Sequence, residues 1–476
     1  MALPESNEQD PLRKIDGARK ALESGDYTEA LSLAQDVLND DFNEPLALFV
    51  AAMALLKTKR YGLSYNLFRR ITQLQPAMFA PWNNMGMCHQ ETWNLDDAEK
   101  CFKESLKRNP ANIAALQNLS LIYINRCMPQ EAMKWIDRTE KTGPPTPEHI
   151  DNKAMALLMM RDWSGWELYK QTAGQSKQRE LRAYNNPEEP MWGGEKGSLV
   201  IYGNQGIGDE LAFASCIPDA MKMADVIVDC DHRVSGLFKR SFPGAKVYGT
   251  RHKVDRDWDH AIDYSIPVDC LPGMFRTKTE SFPGTPYLKA DPERRIQWKA
   301  LFDTFRKPVI GITWTGGSKH TGKKKRSVTL EMLLPMFKSI DATWISLEYL
   351  DRSEQIEEFE MEHGVRILDY PRATRASENQ DYDEMAALVS ELDLVVSVTT
   401  AVVHLSGALG KECWCLVPNK PRWFYGVDGE ELPWYKSVKL FRQSQAGQWP
   451  IDQITKMLEL RHGFSRAERE IQRKSS

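Results

Sequence analysis

The chain has 476 residues, enough for about three domains at roughly 100–200 residues each. Hydrophobic residues make up 42% and charged ones 27%, ordinary globular usage that excludes disorder as the main state. With 62 basic and 66 acidic side chains the net charge is −4, so no global basic field exists to hold nucleic acid or an anionic membrane.

The eight cysteines contain no Cys-x-x-Cys pair. That pattern disfavours a cysteine-rich zinc site and predicts reduced thiols in a cytosol-like compartment. The start, MALPESNEQDPLRK, lacks the apolar core of a signal peptide. The most apolar stretch, Leu394 to Leu409, includes Ser397, Thr399, Thr400 and His404 and is too short and polar to span a bilayer. A soluble, cytoplasmic chain is expected, with a membrane-peripheral location left open.

The first third repeats. Trp82, Met85, Gly86, His89, Ala98, Phe102 and Pro110 resemble the tetratricopeptide pattern W-x2-L-G-x2-Y, A-x3-F, P, with His89 where Tyr is usual. The same phase upstream holds Leu48, Ala51, Ala52, Leu55, Ser64, Phe68 and Pro76. Downstream it holds Leu116, Leu119, Ser120, Tyr123, Ala132, Ile136 and Pro144. A weaker copy uses Ala18, Ala21, Ala30 and Ala34, and a degenerate fifth runs through Ala154, Leu157 and Trp166. Repeats are therefore expected near 11–44, 45–78, 79–112, 113–146 and 147–175. One helix pair cannot bury its apolar face alone, whereas a stack can. The prediction is an all-α solenoid over 1–175, whose groove either takes a protein partner or serves as a platform.

Helical periodicity fades over 176–197, where Asn185-Asn186-Pro187, Pro190 and Gly193-Gly194 predict a linker. Short apolar, β-branched runs follow. One set lies at 198–203, 225–231, 246–249 and 260–266. A second lies at 309–316, 343–349, 365–370, 392–398 and 413–418. Helical patterns between them predict parallel sheets covered by helices. The fold class is thus α plus α/β: a solenoid, then two Rossmann-like halves at 198–305 and 306–476, with a crossing over 287–305.

In open α/β sheets ligands sit at the carboxyl ends of strands, so three loops matter. The first runs Gly203, Asn204, Gln205, Gly206, Ile207, Gly208, Asp209. Its glycines admit close backbone approach to a ligand. Leu211 stands where the dinucleotide fingerprint needs glycine, which disfavours a nicotinamide enzyme. Asp209 is either a helix cap or a general base. The second loop, Thr315 to Arg326, includes Lys319 and Lys323 and matches G-x-x-x-x-G-K, but Lys324 replaces the Ser or Thr that binds magnesium in a P-loop. It is either a phosphate-gripping loop or a solvated charge run. Its following helix is expected to be capped by Thr329. In the third loop, Thr399 and Thr400 precede a helix on which His404 lies one turn after Thr400. His404 is either a core histidine or a ligand. Asp-x-Asp triplets at 229–231, 255–257, 257–259 and 381–383 are treated as chance. Trp423, Phe424 and Tyr425 are read as packing.

Together, GNQGIGDELAFAS (203–215), GITWTGGSKH with KRSVTLE (311–331), WISLE (344–348), TTAVVHLSGALGK (399–411), PRWFYG (421–426), PWYKSV (433–438) and LFRQ (440–443) resemble a family. From about 198 to 460 the chain looks like the glycosyltransferase family 9, heptosyltransferase-like domain in its tetratricopeptide-linked form. The resemblance implies a GT-B fold of two Rossmann-like halves facing a cleft. It implies transfer of a sugar from a nucleotide-diphosphate sugar to an acceptor hydroxyl, with no cofactor and no obligatory metal. Asp209 would be the general base. Gln205, Gly206 and Gly208 would lie on the donor-facing loop. Thr399, Thr400 and His404 would hold the diphosphate, and Lys319, Lys323 and Arg326 would neutralise it. Trp314 and Glu348 would flank the nucleotide. Many members have Asp where this chain has Thr399. The expected partners are the donor, a protein or glycan acceptor, and a protein in the repeat groove. The alternative is a non-catalytic repeat scaffold with a degenerate transferase-like domain.

Overall fold

The computed structural model describes residues 11–175, 181, 189–251, 258–317, 325–375 and 381–463. Their contacts divide the chain into two compact units, Met1–Ala156 and Leu157–Ser476.

The first unit is a tetratricopeptide solenoid. Its helices are α1 (Pro11–Ser24), α2 (Tyr27–Asp40), α3 (Pro45–Lys57), α4 (Tyr61–Leu74), α5 (Ala80–Glu91), α6 (Leu95–Arg108), α7 (Ile113–Asn125) and α8 (Pro129–Thr142). They pair as the 34-residue phase requires. Helix α9 (Pro147–Met159) follows and crosses the unit boundary. The repeat residues explain the close packing. A carbon added to Gly86 would lie 2.5 Å from the Phe102 ring, so only glycine lets α5 and α6 approach. Where Ser64 replaces the alanine of the next repeat, its hydroxyl donates to the Ala52 carbonyl at 2.8 Å.

One backbone feature repeats with the same period. Gly25, Lys59, Trp93, Cys127 and Arg161 all have positive φ, from 57° to 86°, and lie 34 residues apart. Each closes the turn between the two helices of a repeat. Four of the five are not glycine, an uncommon choice for this conformation. Arg161 shows that the fifth repeat keeps the phase. Its location corrects the expected solenoid boundary at 175. Residues from Leu157 onward, with α10 (Gly165–Gln171), belong to the second unit, because Trp166 of α10 packs among Phe213, Trp423 and Trp434 of that unit.

The second unit holds two sheets. In its first half come β1 (Ser198–Tyr202), α11 (Ile207–Phe213), α12 (Ile217–Ala220), β2 (Asp225–Asp229), α13 (His232–Ser241), β3 (Lys246–Tyr248), β4 (Tyr264–Pro267) and α14 (Pro272–Phe275). The four strands are parallel in the order β3-β2-β1-β4. Helix α15 (Pro292–Phe302) is the predicted crossing; Asp291 caps it and Pro292 opens it.

The second half contains β5 (Val309–Thr313), α16 (Leu330–Ser339), β6 (Thr343–Ser346), α17 (Ser353–His363), β7 (Ile367–Asp369), α18 (Pro371–Thr374) and α19 (Tyr382–Glu391). It continues with β8 (Leu394–Val398), α20 (Ala401–Leu409), β9 (Cys413–Val417), β10 (Glu431–Leu432), β11 (Tyr435–Arg442) and α21 (Ile451–His462). The sheet order is β10-β11-β9-β8-β5-β6-β7, with only the β10–β11 pair antiparallel. From β7 to β11 this is the 3-2-1-4-5-6 arrangement of doubly wound folds. Its strands are apolar on both faces because helices cover both. Ile310, Ile312, Leu394, Val396, Trp414 and Leu416 lie in its core.

All nine predicted strands form. The sequence reading missed β10 and β11, which lie in the aromatic tail. Thr329 caps α16, as expected, by accepting from the Met332 amide at 3.3 Å. The expected linker needs correction. Trp192 is fully buried and its amide donates to the Ser265 carbonyl at 3.0 Å, extending the first sheet beyond β4. Among the described residues no helix is long and apolar enough to cross a membrane.

Candidate functional site

Each sheet reverses its strand order at one point, between β1 and β4 and between β5 and β8. The loops leaving β1, β5 and β8 open on a single cavity of about 540 Å³. Ligands of doubly wound sheets bind at this kind of position.

The floor is where α11 and α20 meet. A carbon on Gly208 would lie 3.4 Å from the His404 ring and 3.5 Å from the Ala401 backbone, so glycine there brings the two helix starts together. Asp209 lies one residue on. Its carboxylate accepts from the Gly206 amide at 3.2 Å, which closes the first turn of α11. Burial pushes its pKa up, while Arg422 pulls it down and Asp269 raises it further. Asp209 therefore serves the helix start and also lines the cavity. Beneath it Glu210 is buried, pairs with Arg251 and accepts from the Asp231 amide at 2.9 Å. Burial pushes Glu210 up to about 7.

The opposite wall comes from the second half. Glu348 is buried and accepts from the amides of Trp314 and Thr315 at 2.8 and 2.7 Å. Burial raises its pKa against those two bonds. Arg326 donates to the hydroxyl of Thr399 at 3.1 Å and to its carbonyl. Burial lowers its pKa, and the charge of Arg422 adds to that. Among the described residues neither Arg326 nor Arg422 makes an ion pair with a carboxylate. Arg233, also on the wall, is engaged by Asp231 through two bonds of 2.9 Å. Two guanidiniums beside a helix start, balanced within the cavity only by the more distant charge of Asp209 among the described residues, suit an anionic ligand.

The predicted site residues divide as follows. Gly206, Gly208, Asp209, Arg326, Glu348, Thr399, Thr400 and His404 line the cavity together. Lys319 and Lys323 fall outside the described residues. Gln205 does not line the cavity. Trp314 corrects an expectation: its side chain belongs to the core of the second half and its indole donates to Gln355 at 3.1 Å, so only its backbone serves the site. Thr399 and Thr400 have their hydroxyls engaged, the first by Arg326 and the second by the Val402 amide at 3.3 Å. Thr399 thus holds a cation where a carboxylate would neutralise it.

His404 also differs from expectation. Its ring nitrogens face the hydroxyls of Tyr435 and Tyr425 at 3.4 and 3.5 Å. Burial, with Arg326 and Arg422 nearby, lowers its pKa to about 3. At that value the ring is neutral at ordinary pH.

Sequence reasoning missed Arg233, Arg422, Tyr349, Tyr382 and Met385, and it read Trp423, Phe424 and Tyr425 only as packing. The PRWFYG segment was the available signal for the last group and for Arg422. The acids of the triplets at 229–231 and 381–383 have structural duties. Asp229 accepts from Thr250, Asp231 from Arg233, Asp381 from Arg294 and Asp383 from Arg240.

Comparison with known proteins adds the following. Residues 13–136 match the family described as Psidin, N-terminal TPR repeats region. Over 430 residues, 84% of the chain, it is 26% identical to Protein FlbA of Caulobacter vibrioides and spans 70% of that protein. A 110-residue stretch, 23% of the chain, is 28% identical to Tetratricopeptide repeat-containing protein trd-1 of Caenorhabditis elegans, over 14% of its length. Among solved structures, a thermophilic TPR protein of Thermus thermophilus is 16% identical, with TM-score 0.31, over 35% of this chain and 91% of that one. MamA from Desulfovibrio magneticus is 18% identical, with TM-score 0.27, over 28% and 76%.

Proposed function

We propose that the chain is a glycosyltransferase of the GT-B type, moving a sugar from a nucleotide-diphosphate sugar to an acceptor hydroxyl, and that its repeats recruit a protein acceptor or partner. One observation carries this reading. The switch-point loops of the two sheets converge on one cavity, which the partly buried carboxyl of Asp209 lines together with Arg326 and Arg422, two cations that make no ion pair with a carboxylate among the described residues.

The chemistry follows from that arrangement. Deprotonated Asp209 takes the proton of the acceptor hydroxyl. The acceptor oxygen forms a bond to the anomeric carbon as the bond from that carbon to the phosphate oxygen breaks. The electron pair leaves with the phosphate, and Arg326 and Arg422 stabilise the charge that develops there. In this reading the guanidiniums supply the counter-charge, so turnover should survive a chelator. Glu348 faces the nucleoside. Because burial raises the pKa of Asp209, activity should climb as pH rises through that value and the base loses its proton.

The test is titration of the full chain with nucleoside mono- and diphosphates and their sugars, followed by transfer to candidate acceptors. Binding of at least one, with Asp209→Asn keeping affinity while turnover falls by about 10²–10⁴-fold, is expected. Folded protein that binds none would reject the proposal in favour of a non-catalytic scaffold. Unchanged turnover in Asp209→Asn would remove the base assignment.

A further inference from the structure

The fifth repeat departs from the others at one position. Ala30, Ser64, Ala98 and Ala132 are all fully buried where helices of a repeat meet. The next place in this 34-residue series is Trp166. Its ring meets Trp423, Phe213 and Trp434 edge to face, at 5.3, 5.9 and 6.2 Å. Phe213 ends the helix whose first turn holds Asp209, and Trp423 lies on the cavity wall. One side chain of the fifth repeat thus touches both halves of the α/β unit.

The turn before it makes a second connection. Arg161 occupies the left-handed position of the repeat turn with φ 60°. Its guanidinium donates to the carbonyls of Glu431 at 2.8 Å and Asp428 at 3.4 Å. From β11, Arg442 donates to the carbonyls of Tyr425, Gly429 and Asp428 at 2.6, 2.7 and 2.7 Å. Gly426 and Gly429 take positive φ, and a carbon on Gly429 would lie 3.3 Å from the Arg161 guanidinium. The turn after Tyr425 is therefore gripped by two guanidiniums. The residues just before it, Arg422 to Tyr425, form the cavity wall.

We propose that Arg161 and Trp166 are positioning residues for this cavity: together they hold the wall Arg422–Tyr425 in its ligand-ready shape and so set affinity at the site. The identity of the ligand rests on the functional reading above; the mechanical coupling does not. Charge-assisted hydrogen bonds to carbonyls are among the stronger polar contacts, so their loss should free the turn selectively.

Hydrogen exchange on the full chain tests this. Arg161→Ala should speed exchange of amides 422–432 about tenfold, while β5, β8 and the thermal midpoint stay as in the wild type. Arg161→Lys should restore part of the protection, since an ammonium can still reach one carbonyl. Lys59→Ala, at the same place in the second repeat, should leave amides 422–432 unchanged. Trp166→Phe should speed the same segment by a smaller factor. For a nucleotide diphosphate that the wild type binds, Arg161→Ala should weaken affinity about tenfold. Unchanged exchange at 422–432, or an equal increase throughout the α/β unit, would overturn the proposal. If the wild type binds no nucleotide, the functional reading fails and the exchange experiment alone still decides the coupling.

Discussion

The repeat unit and the α/β unit use the same packing device with different consequences. In the repeats Gly86 lets the Phe102 ring lie against α5. In the α/β unit Gly407 lets the Tyr435 ring lie against α20. The first contact joins two neighbouring helices of one repeat and ends there. The second joins α20 to β11, and the Tyr435 hydroxyl reaches His404 beside the cavity. Contacts along the solenoid run mostly between helices adjacent in sequence. The cavity draws on chain from Gly206 to Tyr425. A close contact is therefore local where topology is sequential and has functional reach where topology is long-range.

Matched substitutions sharpen this contrast. Gly407→Ala should destabilise the α/β unit by about 1–3 kcal/mol, since overpacking against a ring outweighs the roughly 1 kcal/mol of better helix propensity. It should also weaken ligand binding. Gly86→Ala should destabilise the repeats by about 1–2 kcal/mol, because only a ring edge must shift, and leave binding unchanged. Urea unfolding with ligand titration checks both. Equal losses of affinity in the two variants would break the comparison.

A pH experiment probes the α/β unit next. His404 titrates near 3 in the folded chain against an ordinary 6.5. Because its folded value is depressed, the stability it contributes is present above pH 6.5 and is lost as acid protonates the unfolded chain first. Between pH 7 and 5 that loss should be about 2 kcal/mol. Hydrogen exchange of β8 and β9 in wild type and His404→Gln would read it, and the variant should lack the slope.

The smallest effect belongs to the repeats. Lys59 holds a left-handed conformation that glycine adopts without a clash. Lys59→Gly should therefore stabilise α3 and α4 by up to about 1 kcal/mol, the relief of strain exceeding the added chain entropy. A rise in the thermal midpoint of the repeats checks this, and a fall would show that the turn is not strained.

Much of this architecture was legible in order of sequence. The 34-residue phase places every helix pair, because each repeat's packing residues lie within one repeat or its neighbour. The nine strands stood out because runs buried on both faces must be apolar. The short β10 was hidden by Glu431, and β11 by Lys436, Ser437 and Lys439 among its apolar residues, which suit a strand near a sheet edge. Trp166 stood out in the phase as the large residue that ends the small series Ala30, Ser64, Ala98 and Ala132, whereas Arg161 ends a series of mixed composition and carries no such mark.

Sequence alone established the repeat period, the strand positions and which loops leave strand ends, since these depend on residues close in the chain. Only the tertiary structure decided which groups converge. Sheet order brought Asp209 into the same cavity as Arg326 and Arg422, moved Trp314 into the core, and turned His404 toward two tyrosines. Such choices depend on burial and on neighbours hundreds of residues away, and local patterning carries no record of them.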